Sequence, residues 1–434
     1  MIHFLSVIDQ FFFARRSAWP FGLMRIAWAG LALTFFLRQW PDVVLYYGDD
    51  GFLPREFLHI ASRQSWVFSI LRYGGSAGYV WTWYALLLLS LTCSMLGIAP
   101  RTSTIVSYVL MASFHERNSM TLGGGDTVLR NIGFILAIAP GMQALSVSRV
   151  RQQWHAWNIA RTLLPRITMP TWPYRLLLWQ IIVIYGSSLW WKLLGSMWRD
   201  GTAVGAALHH MVFLKWPYAV MNELMPFAES INDATLFWEA TWLLLLLPTP
   251  LWQRIPALGA FPLKRFILVG GVLFHGGIAF FMDVGCFSYA MIASYLGLLD
   301  DADRAWLTGV IKRHTVHPII VLYDGSCRLC RRSAFGLAIL DTCSHLQLVN
   351  FRDSAAKKQV APTLRESELD LAMHILLPDT SVRTGFDAFH FISRHLPLLW
   401  PLAPFFSVPG AASIGRRIYA RIAQNRQKCA HDHC

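Results

Sequence analysis

Tyr323-Asp324-Gly325-Ser326-Cys327-Arg328-Leu329-Cys330 divides the chain into two kinds of sequence. Long apolar segments precede it, and the composition of a small soluble domain follows it. The stretch comes directly after the apolar run Ile319–Leu322 and opens an amphipathic segment, Leu329–Leu340, which is the pattern of a strand turning into a helix. A cysteine at a helix N-terminus meets free amides and the positive end of the dipole, both of which favour the nucleophilic thiolate. Two intervening residues put the second sulfur one helical turn on, where it can close a disulfide. The spacing therefore predicts a redox dithiol after an Asp324-Gly325 turn, with Cys327 attacking and Cys330 resolving. Half a zinc site is the competing reading, because the tail Cys429-Ala430-His431-Asp432-His433-Cys434 offers further ligands. Two inert cysteines are the third. Arg328, Arg331 and Arg332 either add positive potential that favours a thiolate or form a solvated helix face.

The rest of the chain narrows the class. Its 434 residues leave room for two or three domains; 55% are hydrophobic and 15% charged, which argues against a purely soluble protein. The 19 Trp and 13 Tyr suit aromatic belts at membrane interfaces. A formal charge of +13 raises the question of nucleic acid. The basic residues are nevertheless dispersed between apolar segments, with no nucleic-acid-binding motif among them, so cytoplasmic loops explain the charge and no nucleic-acid partner is expected. The seven cysteines (Cys93, Cys286, Cys327, Cys330, Cys343, Cys429 and Cys434) are too scattered for a disulfide scaffold, and only the central pair has motif spacing.

Apolar runs that approach bilayer length occur at Phe21–Leu37, Tyr79–Ile98, Thr104–Phe114, Val128–Ala139, Tyr174–Leu194, Leu236–Trp252, Phe266–Met282 and Phe287–Leu299. The shorter ones fall below the ~20 residues of a spanning helix, so they are tilted partners or extend beyond their apolar cores. The expectation is a polytopic α-helical membrane domain of about eight helices, in contact with the lipid bilayer. Met1–Trp19 lacks cleavable-signal architecture, and Arg15-Arg16 reads as the cytoplasmic flank of the first span. If every run crosses, Arg101, the linker with Arg149, Arg151, Arg161, Arg166 and Arg175, and the segments with Arg254, Lys264, Arg265, Arg304, Lys312 and Arg313 share that side. Asp42, Asp49, Asp50, Glu116, Asp126, Asp200, Glu223 and Asp233 fall opposite. The positive-inside rule then puts both termini in the cytoplasm of a bacterial inner-membrane protein. One miscounted crossing would export the dithiol.

Beyond Asp300 the pattern changes. Strands are expected at Ile319–Leu322, Leu346–Phe351 and Leu371–Leu377, with helices at Leu329–Leu340, Phe386–His395 and Ile414–Gln424 around a Pro-rich apolar stretch, Leu396–Pro409. That order suits a small thioredoxin-type α/β unit. The expected domains are 1–300 in the membrane, a linker over 301–317, and 318–434.

At this point the chain resembles known families. Tyr323-Asp324-Gly325-x-Cys327-x-x-Cys330 is similar to the signature of the DCC family of thiol-disulfide oxidoreductases, named for its Asp-x-x-Cys-x-x-Cys core. Gly385-Phe386-Asp387-Ala388, Pro409 and Tyr419-x-Arg421-x-Ala423-x-Asn425-Arg426 continue the resemblance over about 318–428. It implies dithiol–disulfide exchange and a redox partner protein, with no substrate named. One departure from thioredoxins stands out: no proline directly precedes the strand near Leu371.

The membrane part has its own constellation, Trp191-Lys192-Leu193-Leu194-Gly195-Ser196-Met197-Trp198-Arg199-Asp200-Gly201. A lysine near the end of a spanning run is either a desolvated base or a side chain snorkelling to the interface, where Trp191 and Trp198 are also at home. The block resembles the Lys-Leu…Trp-x-x-Gly segment of HTTM proteins, the superfamily of vitamin K-dependent γ-carboxylase. Arg25, Tyr47-Gly48-x-x-Gly51, His115-Glu116-Arg117-Asn118, Gly124-Gly125-Asp126, Phe274-His275-x-Gly277 and Gly285-Cys286-Phe287 extend it over about 15–300. The resemblance implies that Lys192 is the base that deprotonates a reduced quinone in a membrane cavity. Arg25, His115, Asp126, Trp198 and His275 are its candidate lining. The departures are Trp191-Lys192 in place of paired lysines, one extra residue before the tryptophan, and no expected counterpart of the carboxylase's large lumenal domain. For His115, Asp126 and His275 the alternative is a structural hydrogen-bond cluster, and for Arg25 a structural pairing with a carbonyl or an acid. His209-His210 are adjacent, point apart on a helix and read as interfacial rather than as a metal pair.

The sequence thus favours a membrane-anchored thiol-disulfide oxidoreductase whose membrane domain takes a quinone or lipophilic substrate. Carboxylase-like modification of an exported peptide, a scaffold with a zinc-stabilised tail, and transport through the helical cavity remain open, although no inverted repeat supports transport.

Overall fold

In the computed structural model, residues 2–54, 56, 68–246 and 262–431 are described, with side chains from 6 to 424. The chain divides into two compact units, Met1–Gln153 with Leu164–Asp301, and Trp154–Leu163 with Ala302–Cys434.

The first unit is helical. Among the described residues four helices are long and apolar enough to cross a membrane: α1 (Trp19–Arg38), α2 (Ala77–Leu96), α5 (Trp172–Leu194) and α7 (Leu263–Phe281). Between them lie α3 (Pro100–Arg117), α4 (Gly124–Ile138) and α6 (Ala228–Thr241), and α8 (Phe287–Tyr295) follows α7. Prolines open α1, α3 and α5, where a missing N–H costs nothing. Phe21, Met24 and Trp28 of α1 pack with Tyr84, Leu87 and Leu91 of α2 and with Leu110, Met111 and Phe114 of α3. In α5 and α7 only 22% of the most apolar window is buried within the protein, and Trp179, Val183, Phe266, Val269 and Leu273 point outward. A helix apolar on its exposed face is suited to lipid rather than water.

The run Thr104–Phe114 proves to be the apolar centre of the longer α3. The run Leu236–Trp252 behaves differently: α6 starts well before it at Ala228, and its last six residues lie outside the described residues. Arg254 lies outside them as well. A short antiparallel pair, β1 (Arg15–Ser17) with β2 (Thr168–Pro170), ties two loops of this unit together.

The second unit holds a four-stranded sheet of β3 (Ile319–Tyr323), β4 (Leu346–Asn350), β5 (His374–Leu376) and β6 (Val382–Thr384), in the order β4-β3-β5-β6. The β3–β4 pair is parallel, so the chain must cross over between them, and α9 (Arg328–Leu340) makes that crossover. The pairs β3–β5 and β5–β6 are antiparallel. Period-two alternation buries β3 on both faces: Ile319 and Val321 pack with Leu337, Ile375, Ala388 and Ile392, whereas Leu322 packs with Val349, Phe351 and Leu369. Tyr323 and Phe335 join Trp154 and Trp157 in a third cluster, with Trp154 edge-on to Phe335 at 5.1 Å.

The unit also contains a helix over Asp301–Arg313, within the stretch expected as a linker, and the helices α10 (Gly385–His395) and α11 (Ala411–His431). The motif Gly385-Phe386-Asp387 packs against α11 here, meeting Tyr419 of the second motif and also Gly415 and Arg416 outside it. Gly385 has φ +58°, and a Cβ on it would sit 3.1 Å from the Tyr419 ring. A Cβ on Gly415 would sit 2.3 Å from the Phe386 ring, so only glycine lets α11 approach α10 so closely. Asp387 accepts from Arg416 Nε at 3.1 Å and from Arg416 Nη2 at 3.2 Å.

Candidate functional site

Cys327 is the N-cap residue of α9, with extended backbone (φ −79°, ψ 124°). Its Sγ accepts a hydrogen bond from the Cys330 backbone N–H at 3.5 Å, taking the place of the oxygen of an ordinary capping residue. Both cysteines are half-buried, and neither is in a disulfide. A sulfur at the N-cap lies on the helix axis, where the dipole and the first-turn amides stabilise negative charge. That is the position a thiolate nucleophile requires.

The loop that presents Cys327 is pinned from behind. Asp324 is 5% exposed. Its Oδ1 accepts from Ser326 N at 2.9 Å and from Ser326 Oγ at 2.6 Å, forming an Asx turn directly ahead of the cysteine. Its Oδ2 accepts from Arg352 Nη2 at 3.0 Å. Arg352 is shared, since the same nitrogen also contacts Asp370. Burial pushes the Asp324 carboxyl up, but hydrogen bonds from Arg352 and Ser326 outweigh it and bring it down to about 2. Asn350 holds the next residue, its Oδ1 accepting from Gly325 N at 2.8 Å and from Arg352 N at 3.1 Å. The roles of Arg352 and Asn350 were not legible in the sequence. Neither belongs to the signature, and both reach the loop from the end of β4.

Beside Cys330 opens a cavity of about 720 Å³ within the second unit. Its walls include Asp324, Leu329 and Cys330 on one side and Phe386, Ile414 and Ile418 on the other. Met373 leads into β5, where a proline was missed in the sequence; its N–H donates to Tyr419 Oη at 2.8 Å, a bond proline could not make.

The residues singled out in the helical first unit fall into separate groups. Lys192 Nζ pairs with Glu239 Oε1 at 2.5 Å and lies 4.5 Å from the centre of the Trp198 ring. Glu239, 3% exposed, also accepts from Ser188 Oγ at 3.1 Å, and no motif in the sequence marks it. His115 Nε2 lies 3.7 Å from Asp126 Oδ1, to which Cys286 Sγ also donates at 3.7 Å. His275 belongs to another cluster, bonding to Tyr185 Oη at 2.8 Å, with Tyr185 in turn bonded to Tyr295. Arg25 is fully buried and donates to carbonyls of Ser94, Met95, Ala144 and Leu145. It therefore joins the last turn of α2, where Gly97 (φ +73°) ends the helix, to the backbone at Ala144 and Leu145. His209 bonds to Asn222 Oδ1 at 2.9 Å.

Among the described residues no three His, Cys, Asp or Glu side chains are grouped to hold a metal ion. The tail ligands of the zinc reading, Cys429, His431, His433 and Cys434, have side chains outside the described residues.

A parallel strand–helix–strand unit with a cysteine pair at the helix N-cap, followed by a hairpin and a helix, is a framework suited to dithiol chemistry. Comparison with known families agrees for this part of the chain: the model of the DCC1-like thiol-disulfide oxidoreductase family matches residues 321–431. No curated protein and no solved structure matches the chain.

Proposed function

We propose that the chain is a membrane-anchored thiol-disulfide oxidoreductase with a thioredoxin-like C-terminal domain over residues 318–434, joined by 301–317 to a membrane domain over 1–300. The observation that carries the proposal is the placement of Cys327 at the α9 N-cap, with Cys330 one turn on. The Cys327 thiolate attacks a substrate disulfide, R–S–S–R′, and expels R′–S⁻, which takes a proton from solvent. The Cys330 thiol then loses its proton and attacks Cys327 Sγ in the mixed disulfide, expelling R–S⁻. The substrate ends as two thiols and the protein as one disulfide, and a dithiol from a partner resets it. Asp324 acts as a positioning residue by holding the Asx turn.

In the membrane, the reading is an HTTM-like bundle of about eight crossings in a bacterial inner membrane, with both termini cytoplasmic. Such a bundle would take a quinone or another lipophilic substrate near Lys192 and Trp198. The Lys192–Glu239 pair supports a polar site at that depth, because an ion pair in a membrane helix is costly and is seldom placed without a task.

The test is trapping. With 2-hydroxyethyl disulfide, the full-length Cys330→Ser protein should accumulate a mixed disulfide at Cys327, and the Cys327→Ser protein should form none on Cys330. Failure of the reduced wild type to exchange with this disulfide at all would sink the oxidoreductase reading.

A further inference from the structure

We infer that the substrate of the dithiol is a lipophilic disulfide bearing a negative charge, with its apolar body seated in the cavity beside Cys330. The inference rests on the dithiol reading and extends it to a substrate class. Three observations converge on it.

The first is volume and position. About 720 Å³ falls in the range of pockets that enclose a small organic molecule, and Cys330 forms part of the wall. A group seated there is held beside Cys330, one helical turn from the attacking Cys327.

The second is chemistry of the lining. Leu329, Phe386, Phe406, Ile414, Ile418 and Ile422 surround the space. Ile414, Ile418 and Ile422 recur every four residues along one face of α11, yet they remain 61%, 52% and 47% exposed. Leu329, at the start of α9, is 41% exposed. The two helices therefore hold an apolar surface that the domain itself does not fill. Water in such a space finds few hydrogen-bond partners, so an apolar occupant displaces it favourably.

The third is charge. Helix α9 carries Arg328, Arg331 and Arg332, and α11 carries Arg416, Arg417 and Arg421; neither helix contains an acidic residue. Arg328 and Arg332 flank Leu329 and Ser333 of the wall, and Arg417 and Arg421 each precede an isoleucine of the stripe. All four are exposed. The acid in the wall, Asp324, is turned toward Arg352, an arginine it shares with Asp370. None of the arginines lines the cavity itself, but their excess on the two helices that wall it favours an anion on the occupant, screened by salt as exposed charges are. A hydrophilic anionic disulfide would match the charge but not the cavity, and a neutral apolar one the cavity but not the charge.

Lipoic acid, a cyclic disulfide on a short hydrocarbon chain ending in a carboxylate, is the probe. With the reduced full-length protein, the rates of thiol loss are measured with lipoic acid, its neutral amide and 2-hydroxyethyl disulfide. The same three rates for dithiothreitol in solution give their intrinsic reactivities. After that correction, lipoic acid should react about tenfold or more faster than 2-hydroxyethyl disulfide, a modest return for burying several methylenes. It should also outpace its amide at low ionic strength, with the gap closing in high salt. Ile418→Gln, at a half-exposed position that tolerates a polar residue, should lower the corrected preference, and Ile418→Leu should keep it. A corrected ratio near one in the wild type overturns the cavity assignment while leaving the dithiol reading intact. Equal rates for acid and amide overturn the anionic part. No reaction with any of the three overturns the oxidoreductase reading itself.

Discussion

Asp324 and Arg352 form an ion pair at 3.0 Å, three residues ahead of Cys327 and with the carboxylate side chain 6% exposed. The pair joins the strand end that launches the dithiol loop to the strand end that follows the crossover, so it fixes where α9 begins. The Asp324 carboxyl lies at about 2 in the folded protein against an ordinary value of 3.8. A group whose folded value is depressed adds stability that is present above its unfolded value and lost as pH falls through the folded one. Protection of the Ser326 amide, which donates to Asp324, against hydrogen exchange should therefore be constant above about pH 4 and fade toward pH 2. Arg352 is 37% exposed and screened by solvent, so Asp324→Asn should cost about 1–2 kcal/mol rather than the full value of the shift. It should also remove the acid dependence. Unchanged loop protection in Asp324→Asn would refute the positioning role.

Gly325→Ala tests the same loop by steric means. A Cβ at Gly325 would lie 2.4 Å from Asn350 Nδ2, and Asn350 cannot retreat without giving up the Gly325 and Arg352 amides. We expect a loss of roughly 1–3 kcal/mol in local stability and slower alkylation of Cys327, read by quantitative thiol labelling. The double variant Gly325→Ala/Asn350→Ala, which removes the obstacle, should recover part of the labelling rate.

The dithiol was legible because its signals are local. An apolar run, an Asp-Gly turn and two cysteines one turn apart lie within a dozen residues, and β3, α9 and β4 form where the periodicities place them. The expected strand Leu371–Leu377 narrows to His374–Leu376, because only those residues find a ladder partner. Strand β6, three exposed residues without apolar alternation, is defined by its pairing with β5 and carries no signal of its own. The partners of the key charges escaped for a related reason. Arg352 lies 28 residues from Asp324 and Glu239 47 residues from Lys192, and no local pattern records a pairing made across that distance. In the helical first unit hydropathy located apolar surface rather than helices. Helix α3 is longer than its apolar centre, while α6 begins with Ala228-Glu229-Ser230, which hydropathy would not choose.

The Lys192–Glu239 pair separates structure from chemistry. The two side chains are 20% and 4% exposed, so removing one charge strands the other. Lys192→Met or Glu239→Gln alone should destabilise the detergent-solubilised protein by about 3 kcal/mol or more, seen as a fall in thermal midpoint. The double variant should regain much of that loss, since neither charge is then stranded. If Lys192 serves only the fold, the double variant also regains whatever membrane-domain activity is assayed. If it serves as a base, stability returns and activity does not.

The side of the membrane that the dithiol faces decides which substrates it can meet, and thiol accessibility reads it directly. In a variant that keeps Cys327 and Cys330 and replaces the other five cysteines, a membrane-impermeant maleimide should label inverted vesicles and spare intact cells. Both cysteines are half-buried rather than enclosed, so a reagent on the correct side can reach them. This outcome follows from the proposed topology, in which an even number of crossings leaves Arg149, Arg151, Arg161, Arg166 and Arg175 on the cytoplasmic side. It would also separate the dithiol from any chemistry near Lys192, which the same topology puts close to the outer face. Labelling in intact cells would reverse the assignment: one apolar run fails to cross, the dithiol is exported, and both sites can act on the same exported peptide. Protection in both preparations, relieved by a chelator in the wild-type protein, would replace the redox reading with a zinc site completed by the tail.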